Sequence, residues 1–274
     1  MRLLQKSKDM AEVYMQNPKI EAIILAGSVS RNLQDENSDI ELHILWSSPP
    51  EDEDRKTPIK KVGGTILTYH PYEGEEWSES YLTEDKIKFE ISNFLFVSVK
   101  RFISNVVDNY ETDYDQQCIV ASINDGVDLY GKGKIRTLKN RVVEYPLELS
   151  KQMISENLWL GNRWNNRKAL LKRKDWLMLY DVICEVQKKL LGVLFGMNKM
   201  YVHHPAFKWM QYNIEQMRIK PKNLYDRMTN ILLKNPEHSV FELEVVIEEV
   251  LILVEKYFPE LNISEQKKQI GFVK

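Results

Sequence analysis

The spacing of apolar residues changes near Tyr145-Pro146, and this change most constrains what the chain can fold into. Before it, runs such as Ile20–Leu25 and Ile40–Trp46 are β-branched or alternate apolar with polar positions, a pattern typical of strands. After it, apolar residues recur every three or four positions, which predicts helices. We therefore expect an α+β fold, with a mixed sheet flanked by helices in residues 1–145 and a C-terminal α-helical bundle in residues 146–274.

Further short runs predict the remaining strands of the N-terminal part. Thr65–Tyr69 and Lys86–Ser92 have strand-like patterns separated by a turn-rich stretch at Gly74–Glu79, and Asp128–Gly131 is typical of a short edge strand or an extended link. Ser47–Lys61 contains a Pro-Pro pair and a run of acidic residues, which together predict an exposed loop. The predicted C-terminal helices are Leu147–Leu171, Trp176–Met197, Pro205–Met217, Lys222–Leu233 and Val240–Tyr257.

The composition is that of a globular protein, with 43% hydrophobic and 28% charged residues among 274. No apolar run approaches the roughly 20 residues of a membrane-spanning helix. Charged residues follow closely on the first positions, so we expect no signal peptide. Cys118 and Cys184 lie in amphipathic stretches without metal-ligand spacing, which is typical of reduced thiols in a cytoplasmic protein.

The net charge of −2 hides an uneven distribution of charge along the chain. Residues 1–130 contain 24 acidic and 13 basic side chains, whereas residues 131–274 contain 16 acidic and 25 basic ones. This asymmetry suggests two domains with different partners, although two independent solvated surfaces would produce the same pattern.

A glycine-serine pair follows the first predicted strand and marks a candidate phosphate site. In Leu25–Arg31, a strand that ends at Gly27-Ser28 and enters a helix presents free backbone N–H groups to an anion. Gly27 has no β-carbon, so the backbone can approach that anion closely. Ser28 and Ser30 add hydroxyl donors, and Arg31 adds a cation that can pair with phosphate oxygens.

Carboxylates follow on the next predicted strands. Asp39 and Glu41 are two residues apart, so alternation places both on one face, with His43 beside them. In Lys86–Ser92 the alternation turns Glu90 away from the core, toward the same surface if the two strands are neighbours. Clustered carboxylates repel one another without a cation, and their oxygens are ligands that Mg²⁺ prefers. The sequence therefore predicts a Mg²⁺ site at Asp39, Glu41 and Glu90.

The order of these residues resembles a known signature. Gly27-Ser28-x-x-Arg31, followed by Ser38-Asp39-Ile40-Glu41, is similar to the motif of the polymerase-beta-like nucleotidyltransferase superfamily. Within that superfamily, the likeness is nearest to bacterial small-molecule enzymes such as aminoglycoside and lincosamide nucleotidyltransferases. Those enzymes pair a nucleotidyltransferase domain with a C-terminal helical domain.

The resemblance implies a role for each matching residue. Gly27 and Ser28 would hold the β- and γ-phosphates, and Asp39 and Glu41 would ligate Mg²⁺. Glu90 would complete the metal site or act as general base on the acceptor hydroxyl. The implied reaction moves a nucleoside monophosphate, such as AMP from ATP, to a hydroxyl of a small molecule, for example an aminoglycoside-like antibiotic. The implied nucleotide-binding residues of this segment are Gly27, Ser28, Ser30, Arg31 and Ser38.

The helical half supplies further candidates through a weaker likeness to relatives of this group, in residues 181–209. Lys188 and Lys208 are candidate triphosphate contacts, although solvated charges are the commoner use of such helix lysines. The candidate acceptor-binding residues are Asp181, Glu185 and Asn198.

Two other functions stay open from the sequence. Nucleotidyl transfer to RNA or protein is compatible with the basic C-terminal half, but no arginine-rich stripe with interleaved aromatic residues indicates nucleic acid. A non-catalytic nucleotide-binding regulatory module is the alternative from another class, and the presence of all three acids favours the enzyme over it. The acidic N-terminal half suits a cationic small-molecule acceptor. The choice of nucleoside triphosphate and the existence of a homodimer are left open.

Overall fold

A computed structural model describes residues 2–271 and divides the chain into two compact units. Unit 1 comprises the residues up to Asn109 together with Asp115–Glu144. Unit 2 comprises Tyr110–Tyr114 and the residues from Tyr145 onward. A mixed sheet with helices occupies the first unit and helices the second, so the predicted α+β fold class is confirmed.

Unit 1 is built on a sheet that contains six strands within the described residues. In chain order they are β1 (Ile20–Ala26), β2 (Ile40–Trp46), β3 (Thr65–Tyr69), β4 (Trp77–Leu82), β5 (Lys88–Leu95) and β6 (Val127–Tyr130). Their order in the sheet is β3-β4-β5-β2-β1-β6. Strands β2 and β5 are parallel, and the other neighbouring pairs are antiparallel. Strand β4 had not been predicted, because it begins in a stretch whose composition favours turns.

Helices cover the sheet of unit 1. They are α1 (Arg2–Tyr14), α2 (Gly27–Ser30), α3 (Asp52–Lys61), α4 (Phe96–Ile103) with a π-helical continuation at Ser104–Asp108, α5 (Tyr114–Asp125) and α6 (Lys132–Val142). The apolar side of α1 packs with alternate residues of the central strands in one core. That core takes the inward positions of β2 and β5 and leaves the intervening positions on the opposite face.

An exposed loop was predicted at Ser47–Lys61, and this prediction is wrong for Asp52–Lys61, which forms helix α3. Glu51 and Asp54 form a reciprocal capping box that starts this helix. Arg55 anchors it, because its buried guanidinium donates to Glu79 of β4 at 2.8 Å. A long-range ion pair therefore holds a segment whose local composition indicates a loop.

Unit 2 is helical throughout its described elements. They are α7 (Leu147–Asn157), α8 (Asn162–Asn165), α9 (Arg167–Arg173), α10 (Trp176–Met197), α11 (Met210–Gln216), α12 (Leu224–Leu233), α13 (Pro236–Tyr257) and α14 (Ser264–Gly271). Helix α10 packs against α7, α9 and α13. The single helix predicted at Leu147–Leu171 is wrong, because the chain breaks after α7 and Gly161 adopts a φ of +81° before α8.

The structure also describes the two cysteines and the helices for which the sequence predicted reduced thiols and no membrane span. Cys118 and Cys184 are both half-buried. Of the helices described in residues 2–271, none combines the length and the apolar character that crossing a membrane requires.

Candidate active site

The starts of two adjacent strands bring the three predicted acids together. The parallel register of β2 and β5 pairs Glu41 directly with Glu90. Asp39 immediately precedes β2 and shares the face of Glu41. One carboxylate oxygen from each of the three residues lies within 4.8 Å of the others. The sheet topology thus assembles a compact carboxylate cluster from distant parts of the sequence.

Lys88 is part of this cluster, and the sequence interpretation had missed it. Its ammonium Nζ donates to Asp39 Oδ2 at 3.1 Å and also to Glu90 Oε1. The hydrogen bond to Glu90, followed by the one to Asp39, raises the pKa of Lys88 above its usual value. Alternation was the available signal, because Lys88 stands two residues before Glu90 and therefore points to the same face.

Gly27 packs closely against the Glu41 carboxylate. It begins the single turn α2 with a φ of +66°, a conformation that favours glycine. A β-carbon here would lie 2.7 Å from Glu41 Oε2 and nearer still to the other carboxylate atoms. The strand register explains this proximity, because Ala26 pairs with Glu41 across β1 and β2. The glycine therefore makes room for a carboxylate, while Ser28 beside it is buried.

The other residues of the predicted phosphate turn are engaged in local hydrogen bonds. Ser30 Oγ donates to the Gly27 carbonyl at 2.9 Å, and Arg31 Nε donates to the same oxygen at 3.4 Å. Ser38 Oγ donates to Asp35 Oδ1 at 3.0 Å and accepts from the Asp35 backbone at 2.9 Å. These contacts stabilise the two turns that precede Asp39 in the chain. Phosphate binding by these side chains stays a prediction, and the two hydroxyls would have to exchange partners for it.

A second polar row lies beyond the acids on the same face. His43 pairs with Ser92 in the register of β2 and β5. Burial lowers the pKa of His43 to about 4, so the imidazole is neutral near pH 7 and packs its edge against Phe94. Glu76 hydrogen-bonds to Ser92, and burial raises the pKa of Glu76. Glu76 had been missed because it lies in the turn before β4, where no strand pattern reveals its direction.

The remaining candidates lie in unit 2. Asp181, Glu185 and Lys188 follow one another on an exposed face of α10, and Lys208 is exposed in the loop before α11. The side-chain amide of Asn198 makes four hydrogen bonds of 2.8 Å to backbone groups at the end of α10 and in the loop that precedes α12. Asn198 therefore has a structural role within this unit, and binding roles for all five residues stay predictions.

The carboxylate cluster fits a hard divalent cation. Three carboxylate oxygens at this spacing can share one ion, and Mg²⁺ prefers oxygen ligands. Within residues 2–271 no second group of three or more histidine, cysteine or acidic side chains comes together in this way. The missing β-carbon of Gly27 supports the assignment, because it provides the space in which Glu41 turns toward the other two acids.

Comparison with known proteins gives limited similarity. Residues 112–210 match a family described as a domain of unknown function (DUF4037). No curated protein matches the sequence. An aminoglycoside 6-adenyltransferase from Bacillus subtilis aligns at 11% identity over 97% of this chain and 99% of that one, with a TM-score of 0.36. The Thermotoga maritima CCA-adding enzyme, solved with tRNA, aligns at 13% identity over 98% of this chain and 69% of that one, with a TM-score of 0.32. Both TM-scores are too low for a function to be carried across.

Proposed function

We propose that this chain is a Mg²⁺-dependent nucleotidyltransferase of the polymerase-beta-like kind. It transfers a nucleoside monophosphate, AMP from ATP, to a hydroxyl of a small molecule, with a cationic aminoglycoside-like compound as the acceptor class. The observation that carries the proposal is the convergence of Asp39, Glu41 and Glu90 at the starts of two parallel strands, beside Gly27. The order of glycine turn, paired acids and third acid is the order that the sequence resemblance implies.

The three acids have distinct tasks in this proposal. Asp39 and Glu41 hold the metal, and Glu41 lies against Gly27 of the turn that receives the phosphates. When bound, Mg²⁺ neutralises phosphate oxygens and lowers the pKa of the attacking hydroxyl. The Glu90 side chain is 46% exposed, against 26% for Asp39, so it is the acid that an acceptor reaches more easily. Glu90 either completes the metal site or accepts the hydroxyl proton.

The reaction follows from these positions. The acceptor oxygen forms a bond to the α-phosphorus, and the bond from that phosphorus to the bridging β-phosphate oxygen breaks. The acceptor proton passes to a carboxylate oxygen, and pyrophosphate leaves. The backbone N–H groups of Gly27 and Ser28 orient the leaving phosphates. Lys188 and Lys208 are proposed triphosphate contacts from unit 2, and the proposed acceptor residues there are Asp181, Glu185 and Asn198. The Asn198 amide would have to exchange a backbone hydrogen bond for the acceptor.

Calorimetric titration tests the site directly. ATP and the other nucleoside triphosphates are titrated with Mg²⁺ into the wild type and into Asp39→Asn/Glu41→Gln. We expect Mg²⁺-dependent binding that weakens at least about tenfold in the double variant, because two charged ligands are lost. Asp9→Asn/Glu12→Gln is the matched control, since it removes the same charge from an exposed part of α1. A well-folded wild type that binds no triphosphate would overturn the proposal.

A transfer assay then identifies the acceptor class. α-Labelled triphosphate is incubated with cationic polyhydroxy compounds, RNA and protein in parallel, and label transfer is measured together with pyrophosphate release. Label on a small molecule, absent with Asp39→Asn/Glu41→Gln, supports the proposed acceptor. Label only on RNA or protein would keep the chemistry and replace the acceptor.

One observation favours a second function, a non-catalytic nucleotide-binding module. Lys88 places a positive charge among the acids, as a permanent substitute for a metal would. On this alternative, triphosphate binding would be insensitive to Mg²⁺, and no acceptor would be labelled. The calorimetric titration with and without Mg²⁺ separates the two functions before any acceptor is known.

A further inference from the structure

Lys88 is held where a cation would bind. Its ammonium bridges Asp39 and Glu90, two of the three acids proposed to bind the metal. Asp39 lies just before β2 and Lys88 and Glu90 lie in β5, all three on one face of the sheet, so the contact is a product of strand register. The lysine thus offsets part of the repulsion among the carboxylates.

A divalent ion and this ammonium compete for the same oxygens. Like charges at contact distance repel strongly in a partly buried site, so an ion that binds both acids displaces Lys88 from them. The lysine can move, because its side chain is 40% exposed and carries the charge on a flexible four-carbon stem. An anion that arrives with the metal offers the displaced ammonium a new partner.

We infer that Lys88 is the resident counter-ion of the acidic site and couples metal binding to triphosphate binding. In the free protein Lys88 keeps the metal affinity low. When a metal–triphosphate complex enters, the acids exchange the lysine for the metal, and Lys88 pairs with a phosphate oxygen. This inference rests on the proposed function and adds a nucleotide-positioning residue that the sequence motif does not contain.

Metal binding without nucleotide is the first test. Mn²⁺ is titrated into the wild type, Lys88→Met and Lys88→Gln, and free Mn²⁺ is followed by electron paramagnetic resonance. We expect both variants to bind Mn²⁺ about tenfold more tightly than the wild type, because the competing charge is gone. Lys86→Met is the matched control, since it removes an equal charge from the exposed turn just before β5 and should change the affinity far less. Equal or weaker binding by both Lys88 variants, with folding verified by circular dichroism, overturns the inference.

The second test measures the coupling. The titration is repeated with a saturating ATP analogue that cannot transfer its α-phosphoryl group. The affinity of the analogue alone for Mn²⁺ is measured separately and taken into account. Beyond that contribution, the analogue should tighten Mn²⁺ binding to the wild type about tenfold or more. In Lys88→Met this additional tightening should largely disappear. An enhancement of equal size in both proteins would overturn the coupling.

The two levels of the proposal fail in different ways. Asp39→Asn/Glu41→Gln should bind little Mn²⁺ under either condition. If the wild type and the Lys88 variants bind no Mn²⁺ with or without the analogue, the proposed metal site itself is wrong, and the inference falls with it. If Mn²⁺ binding depends on the acids but not on Lys88, the site stands and the inference alone is overturned.

Discussion

At the scale of single residues, Gly27 and Gly74 have similar backbones in different surroundings. Their φ values are +66° and +57°, so both lie in the left-handed region. A β-carbon on Gly74 would meet no atom within 4 Å, whereas one on Gly27 would overlap the Glu41 carboxylate. Substitutions at the two glycines therefore allow two effects to be separated. Both substitutions strain the backbone, but only the one at Gly27 displaces a proposed metal ligand.

Gly27→Ala and Gly74→Ala are expected to destabilise the protein by similar amounts. Each places a side chain at positive φ, at a cost of about 1 kcal/mol in the free energy of unfolding. Glu41 is a flexible side chain and can move aside in Gly27→Ala, so the additional loss appears in function. We expect Mn²⁺–triphosphate binding at least about tenfold weaker in Gly27→Ala and unchanged in Gly74→Ala. Urea unfolding and calorimetry measure the two quantities, and equal binding by both variants would contradict the explanation.

The residues of the site differ in how far sequence can reveal them. Asp39, Glu41 and Glu90 were predictable as one cluster, because alternation determines the face of each once two strands are assumed to be neighbours. The structural role of Asn198 was not predictable, because its side-chain amide forms hydrogen bonds with backbone groups about twenty positions away along the chain. A polar side chain in an apolar helix indicates a special role, but only the fold distinguishes a structural partner from a ligand.

At the scale of elements, α3 is joined to the sheet by a buried polar network in addition to the contact of Ile59 with the core. Arg55 donates to Glu79 at 2.8 Å and to the carbonyl oxygens of His70 and Ser78 at 2.9 and 3.0 Å. Asn93 of β5 donates to the same carboxylate at 3.0 Å. The side chains of Arg55 and Glu79 are both almost fully buried. Each charge is therefore tolerated in the folded protein only because the other one compensates it.

Arg55→Met should be strongly destabilising, by about 3–5 kcal/mol, because it leaves Glu79 buried without its counter-charge. Arg55→Met/Glu79→Gln should recover part of that loss. Lys60→Met on the same helix breaks only an exposed pair with Glu53 and should cost less than about 1 kcal/mol. Urea unfolding at pH 7 measures all three values. A small effect of Arg55→Met would show that α3 is held by other contacts.

The predictability of each element follows from where its stabilising contacts lie. The bounds of β2 and of α10 were predicted correctly, because alternation over the first five residues marks β2 and a continuous three-to-four spacing marks α10. The network of Arg55 joins segments that are 24 residues apart, and no local pattern reports it. The break after α7 was also missed, since apolar spacing continues across Leu158–Leu160 although the helix does not.

At the scale of the whole molecule, the chain enters unit 2 twice. Tyr110–Tyr114 belongs to that unit, although the residues on both sides of it belong to unit 1. Tyr114 Oη donates to Asn157 Oδ1 at 2.9 Å, and its ring packs edge-on against Phe207. The first passage is therefore part of the packing of the helical unit rather than a simple connection.

Tyr114→Phe should destabilise unit 2 by about 1 kcal/mol while leaving the acidic site intact. The variant keeps the ring contact with Phe207 but leaves the partly buried Asn157 oxygen without its donor. Asn157→Ala should cost more, and the two losses should not add, since both remove the same hydrogen bond. Unfolding curves give the stabilities, and Mn²⁺ titration checks that the site in unit 1 is unchanged. Fully additive losses would show that the hydrogen bond contributes nothing.

The change in Tm on ligand binding can show whether residues of both units contribute to nucleotide binding. A ligand present at about a hundredfold above its Kd stabilises the state that binds it by about 2.7 kcal/mol, which raises Tm by several degrees. We expect Mg²⁺ with ATP to raise the Tm of the wild type, EDTA to abolish the rise, and Asp39→Asn/Glu41→Gln to show none. Scanning calorimetry of Lys188→Met/Lys208→Met then tests the residues proposed in unit 2. If these lysines hold the triphosphate, the rise shrinks in that variant, whereas an unchanged rise restricts nucleotide binding to the acids and the glycine turn of unit 1.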